Sequence, residues 1–185
     1  MALIGIKPSS GPPHDNGVIA EGPPPPELDT RVTNHPPSRF AVAAYDSWSG
    51  VHTTLHDLCA GGSTINELNC LGLHRVLAAG PGVEHALPLR ALPFQKSPEL
   101  ISCTLGPVAE RLAQRLALGA PSLQVALSHW LIPRHAAQLQ NTVQDGRLVL
   151  WVQLFDAEDE RRAYQALLAR SANSVGVHDL NGDES

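Results

Sequence analysis

The chain has 185 residues with 13 lysines and arginines against 18 aspartates and glutamates, a net charge of -5. That sign is opposite to the basic footprint that phosphate-backbone binding requires, so nucleic acid is not an expected partner. With 43% hydrophobic residues there is material for a core, and no apolar run approaches the roughly 18 residues of a membrane span.

The N-terminus lacks a basic stretch followed by an apolar one, so a cytoplasmic location is the default expectation. Cys59, Cys70 and Cys103 are an odd count with no CxxC pair, which offers neither a disulfide framework nor a zinc ribbon. Residues 1–39 hold nine of the 16 prolines, four of them consecutive from Pro23 to Pro26. No helical or alternating apolar period survives there, and the segment reads as an extended, polyproline-like arm. Proline supplies no backbone donor, so docking of this arm on a partner would draw affinity from Leu28, Arg31 and Val32.

The globular part opens with Phe40-Ala-Val-Ala-Ala-Tyr45, a short apolar run that suits a buried strand. Val51, Leu55 and Leu58 then share one face of a helix, with Ser47 or Ser49 as the N-cap and Gly61-Gly62 as the stop. A second strand follows at about 67–74. Residues 76–106 contain Pro81, Pro88, Pro93 and Pro98 and read as irregular loop. From Pro107 the apolar period returns: a helix carrying Val108, Leu112 and Leu116, a second at about 122–131, and a third from Pro133 to Gln144, closed by Asp145-Gly146.

Leu148 to Phe155 is the strongest strand signal, and Asp156 then caps a helix with an acid at its third position. A last strand is expected at about 174–179. Tyr45-Asp46 can be laid over Phe155-Asp156, so the order strand, helix, strand occurs twice. Two such βαβ halves predict an α+β ferredoxin-like sandwich with a four-stranded antiparallel sheet and both helices on one face. The expected domain covers 40–180, with a helical insertion at about 107–144 and an acidic tail at 181–185.

Tyr45-Asp46-Ser47 opening a helix, Gly61-Gly62 ending it, Gly106-Pro107 starting an apolar middle segment, and Leu131-Ile132-Pro133 before a helix ending at Gly146 together resemble the bacterial general-stress or heat-induced-stress protein-like domains. The resemblance covers roughly 40–180. It implies the same element order and brings no catalytic residues. The middle segment here carries charge where that family is nearly all apolar, so no membrane role is implied.

Nine histidines invite a search for metal chemistry. His52, His56 and Cys59 project from one side of the first helix, a spacing that can supply up to three ligands. A useful zinc site wants further ligands and supporting hydrogen bonds, so no metal and no cofactor is expected, and these three are the weak candidates. Cys70 and His74 lie two pleats apart, but no orienting group or nucleophile signature surrounds them, and Cys70 reads as core. His129, His135 and His178 stand alone in the sequence. Gly61-Gly62 and Gly80-Pro81-Gly82 fit no phosphate-binding loop.

The strong strand is apolar on both sides: Leu148, Leu150, Val152 and Leu154 on one, Val149, Trp151 and Phe155 on the other. Two helices cover one face, so the face bearing Trp151 and Phe155 must meet either residues 107–144 or another chain. The functional expectation is a non-catalytic interaction module or accessory subunit that docks on a protein partner or a second copy. A small-ligand or metal-binding regulatory domain is the alternative.

Overall fold

The computed structural model of the chain describes residues 38–80, 88–171 and 175–180. The expected arm, including Leu28, Arg31 and Val32, lies outside the described residues apart from Ser38 and Arg39, and so does the acidic tail at 181–185. In chain order the elements are β1 (Ser38–Tyr45), α1 (Trp48–Ala60), a 3-10 turn (Ile65–Glu67), β2 (Leu68–Leu73), α2 (His74–Ala78), β3 (Leu89–Leu92), β4 (Ile101–Thr104), α3 (Pro107–Ala117), α4 (Leu123–Leu127), α5 (Pro133–Gln144), β5 (Leu148–Leu154), α6 (Ala157–Leu168) and β6 (Gly176–Leu180).

The local signals act as their chemistry dictates. Ser47 caps α1 by accepting from the Gly50 amide, Ser122 caps α4 through Val125, and Asp156 caps α6 through Asp159 at 2.8 Å. Pro107 and Pro133 occupy first turns, where a missing N–H costs nothing. The two halves superpose one residue out of step, because the first cap is Ser47 and not Asp46. Asp46 instead pairs with Arg147 at 2.5 Å.

The sheet is antiparallel throughout and ordered β3-β4-β2-β5-β1-β6. β5 lies at its centre, with Ala43 opposite Leu150 on one flank and Cys70 opposite Leu150 on the other. Alternation along β5 splits the core in two. Leu148, Leu150, Val152 and Leu154 pack with Val51, Leu55 and Leu58 of α1 and Ala163 and Leu167 of α6. Val149 and Trp151 face Val108 and Leu112 of α3, Leu123 and Leu127 of α4, and Ala136 and Val143 of α5. Each layer buries an apolar helix stripe that could not persist alone in water.

Two expectations are corrected. The sheet has six strands and not four, because β3 and β4 form within the segment expected to be irregular loop and extend the sheet beyond β2. Trp151 does not await another chain: it is fully buried beneath α3 to α5, with Phe40 edge-on to its ring at 6.1 Å. Cover of the second face is therefore intramolecular for Trp151, while Phe155, one residue past the end of β5, is 63% exposed.

One polar side chain ties the second helical layer to the sheet. α3 starts at Gly106, which has no side chain to cap it. Asn69, wholly buried in β2, does the capping from a neighbouring element: its Oδ1 accepts from the Val108 amide at 2.9 Å. Its Nδ2 donates to the carbonyls of Leu68 and Leu105 at 3.1 and 3.2 Å. Gly106 has φ +147°, and a Cβ there would stand 2.0 Å from Nδ2, so only glycine lets the chain pass this close.

Candidate functional site

Two surfaces of the described residues combine accessibility with chemistry. The first lies at one end of the sheet. The registers Arg39↔Leu154, Leu68↔Val152 and Leu71↔Cys103 bring together the start of β1, the start of β2 and the ends of β4 and β5. Ile65, Leu105 and Phe155 project at this end with exposures of 42%, 48% and 63%. An open groove runs beside them, lined by Thr64, Glu67, Leu105, Pro107, Glu110 and Gln153. Its polar walls are partly committed, since Glu67 accepts from the Thr64 amide at 3.0 Å in a capping box. Ser38, where the described chain begins, is held on the same end by Arg111, whose guanidinium donates to the Ser38 hydroxyl at 3.1 Å.

The second is a cavity of about 130 Å³ between α5 and the β1–β6 edge. His135 from the first turn of α5 and His178 from β6 line it together with Gln138, Thr142 and Gly176. The two rings stand 5.3 Å apart, centre to centre, at 74°. Burial lowers the pKa of His178, and a charge on His135 lowers it further, whereas Asp179 raises it. Asp179 alternates to the other side of the sheet and pairs with Arg39 at 3.4 Å.

The sequence candidates fall into place differently. His52, His56 and Cys59 are exposed on the outer side of α1, away from Val51, Leu55 and Leu58. Among the described residues no three His, Cys, Asp or Glu side chains converge. Cys70 is buried against α1 and α6, which pushes its thiol up to about 12, and burial drives Cys103 upward as well. His74 starts α2 and shares a 2.9 Å hydrogen bond with the Ser102 hydroxyl. The Cys70 backbone amide is taken by the Thr104 hydroxyl at 2.8 Å. These bonds make β2 and β4 cohere and assemble no nucleophile with a base. His129 is an exposed residue following α4.

The pairing of His135 with His178 escaped sequence reasoning because one stands on a helix and the other on an edge strand far along the chain. Only the position of His135 in the helix after Pro133 and the strand alternation at 176–180 hint at their faces. Among the described residues no helix is long and apolar enough to cross a membrane. The chain matches no family model, no curated protein and no solved structure.

Proposed function

We propose that the chain is a non-catalytic interaction module or accessory subunit, docking on a protein partner or a second copy through its proline-rich arm and the exposed end of its sheet. The observation that carries this reading is the gathering of Ile65, Leu105 and Phe155 where β1, β2, β4 and β5 meet the surface. Exposed apolar side chains grouped beside a groove, with charged residues at its margin, are the composition of a docking surface. The arm adjoins this end in the sequence, and its prolines lower the entropy lost on docking.

The fold reading that accompanies this proposal is a ferredoxin-like sandwich forming one side of a larger sheet. Its support is the contiguous run β2-β5-β1-β6, built from the units β1-α1-β2 and β5-α6-β6 with α1 and α6 in one layer. The β3–β4 pair and the layer of α3, α4 and α5 would then be additions to that frame. Kinship with the stress-protein-like domains rests on the residues quoted for it.

The test uses the full chain. Sedimentation equilibrium is compared for the parent, a Leu105→Ser/Phe155→Ser double variant and a chain lacking residues 1–37. Self-association in the parent that weakens at least tenfold in either variant supports a second copy as the occupant. If the parent is monomeric, a defined complex isolated from the native source should lose this subunit in the same variants. Unchanged association in both variants, with melting preserved, overturns the proposal.

A further inference from the structure

We propose that the groove at the end of the sheet is the seat of the proline-rich arm of a second copy, so that two chains exchange arms across a two-fold axis and Arg31 of each meets Glu110 of the other. This rests on the docking reading and names its partner: arm and groove are the two halves of one contact. Charge is the first ground. Glu67 and Glu110 line the groove, and no lysine or arginine does. From Thr30 to Pro37 the chain carries Arg31 and His35 and no acid. Glu67 already accepts from the Thr64 amide, whereas Glu110 is exposed on the first turn of α3 and can receive a guanidinium.

The apolar complement agrees with the charge. Leu105 and Pro107 line the groove, and Phe155, 63% exposed, shares a face with Gln153, which lines it too. Proline-rich segments dock on such grooves because they offer few backbone donors. Three residues make one polyproline turn, so Leu28 and Arg31 lie on one side of such a segment and reach the rim and the carboxylate together.

Reach decides whose arm fills the groove. Ser38 is fastened at this same end of the sheet by Arg111, the neighbour of Glu110. β1 and β2 flank β5, so the groove at the start of β2 lies roughly 10 Å from β1 at the usual strand spacing. Val32 and Thr33 are β-branched, and His35 and Pro36 each precede a proline, all of which favours extended backbone. Arg31 stands seven positions before Ser38, about 22 Å at the polyproline rise. An arm so extended carries Arg31 about twice as far as its own groove lies, which is the reach of a facing copy. The contact is then isologous, and each pair of chains forms it twice.

The experiment uses full chains carrying Arg31→Glu or Glu110→Arg, followed by sedimentation equilibrium. The parent should form a dimer. Each single variant should associate at least tenfold more weakly with its melting unchanged, because like charges then face one another in both grooves. An equimolar mixture of the two variants should regain the parent's affinity, since in the mixed pair every groove receives an arm of opposite charge. An arm folded on its own chain could not produce that recovery. A monomeric parent overturns the proposal, and so does a dimer that neither reversal weakens, or one whose reversed chains do not recover on mixing. These failures are distinct from failure of the docking reading: a dimer weakened by Leu105→Ser/Phe155→Ser and indifferent to both charge reversals keeps the docking surface and refutes the arm as its occupant.

Discussion

Replacing Asn69 by alanine should cost about 2–4 kcal/mol. The figure follows from what the side chain holds. Losing a helix cap costs about 1 kcal/mol. The Val108 amide, the Leu105 carbonyl and the Leu68 carbonyl would then lose this partner, and each buried backbone group left unsatisfied costs about 1–3 kcal/mol. Partial entry of water through the neighbouring groove keeps the total below the sum. Equilibrium urea denaturation measures it: with a slope of about 2 kcal/mol/M, the midpoint should fall by roughly 1–2 M with the slope unchanged.

A second substitution turns this into a coupling measurement. Gly106→Ala alone places a Cβ 2.0 Å from Asn69 Nδ2 at a φ of +147°, so both a clash and backbone strain oppose it. In the Asn69→Ala background the clash is gone and only the strain remains, so the double variant must be less destabilised than the sum of the singles. A loss of stability below about 0.5 kcal/mol for Asn69→Ala, or strict additivity with Gly106→Ala, would refute the idea that this pair sets the start of α3.

Thiol labelling should find a single fast-reacting cysteine in the native chain, Cys59, because Cys70 and Cys103 are buried with raised thiol pKa values. All three should react after unfolding, and native labelling of Cys70 would contradict the packing of β2 against α1. Acid should weaken the fold through His178, whose pKa lies below its ordinary 6.5. Above pH 6.5 both states carry the neutral ring. As the pH falls below that value the unfolded chain takes up the proton first, and stability drops until the folded-state pKa is passed. Denaturation in the presence of a chelator, repeated across this range, should show that slope in the parent and lose it in His178→Gln.

Legibility in the sequence followed the length and purity of each signal. β1, β5 and the stripes of α1 and α3 could be read because each holds enough apolar residues for one period to exceed noise. The caps at Ser47 and Asp156 and the prolines of α3 and α5 could be read because they act within one turn of themselves. β3 and β4 could not: each has four residues, and β4 is Ile-Ser-Cys-Thr, half of it polar. Ser102 and Thr104 are nevertheless buried, since His74 at the start of α2 and the Cys70 amide of β2 satisfy them. The same limit hid Asn69, whose role exists only when the end of β4 and the start of α3 arrive beside β2.

The pairing of β1 with β5 also has a cost in time. Ala44 meets Val149 across more than a hundred positions of chain. A strand that is apolar on both sides therefore leaves the ribosome well before the strand that will flank it, and at 5–20 residues per second the interval is about 5–20 s. During that interval the sheet has no centre, and Phe40 to Tyr45 offer unpaired backbone to any passing strand. Folding must close a loop of more than a hundred positions before the sheet has a centre, and slow refolding with aggregation at high concentration is the outcome expected on that ground.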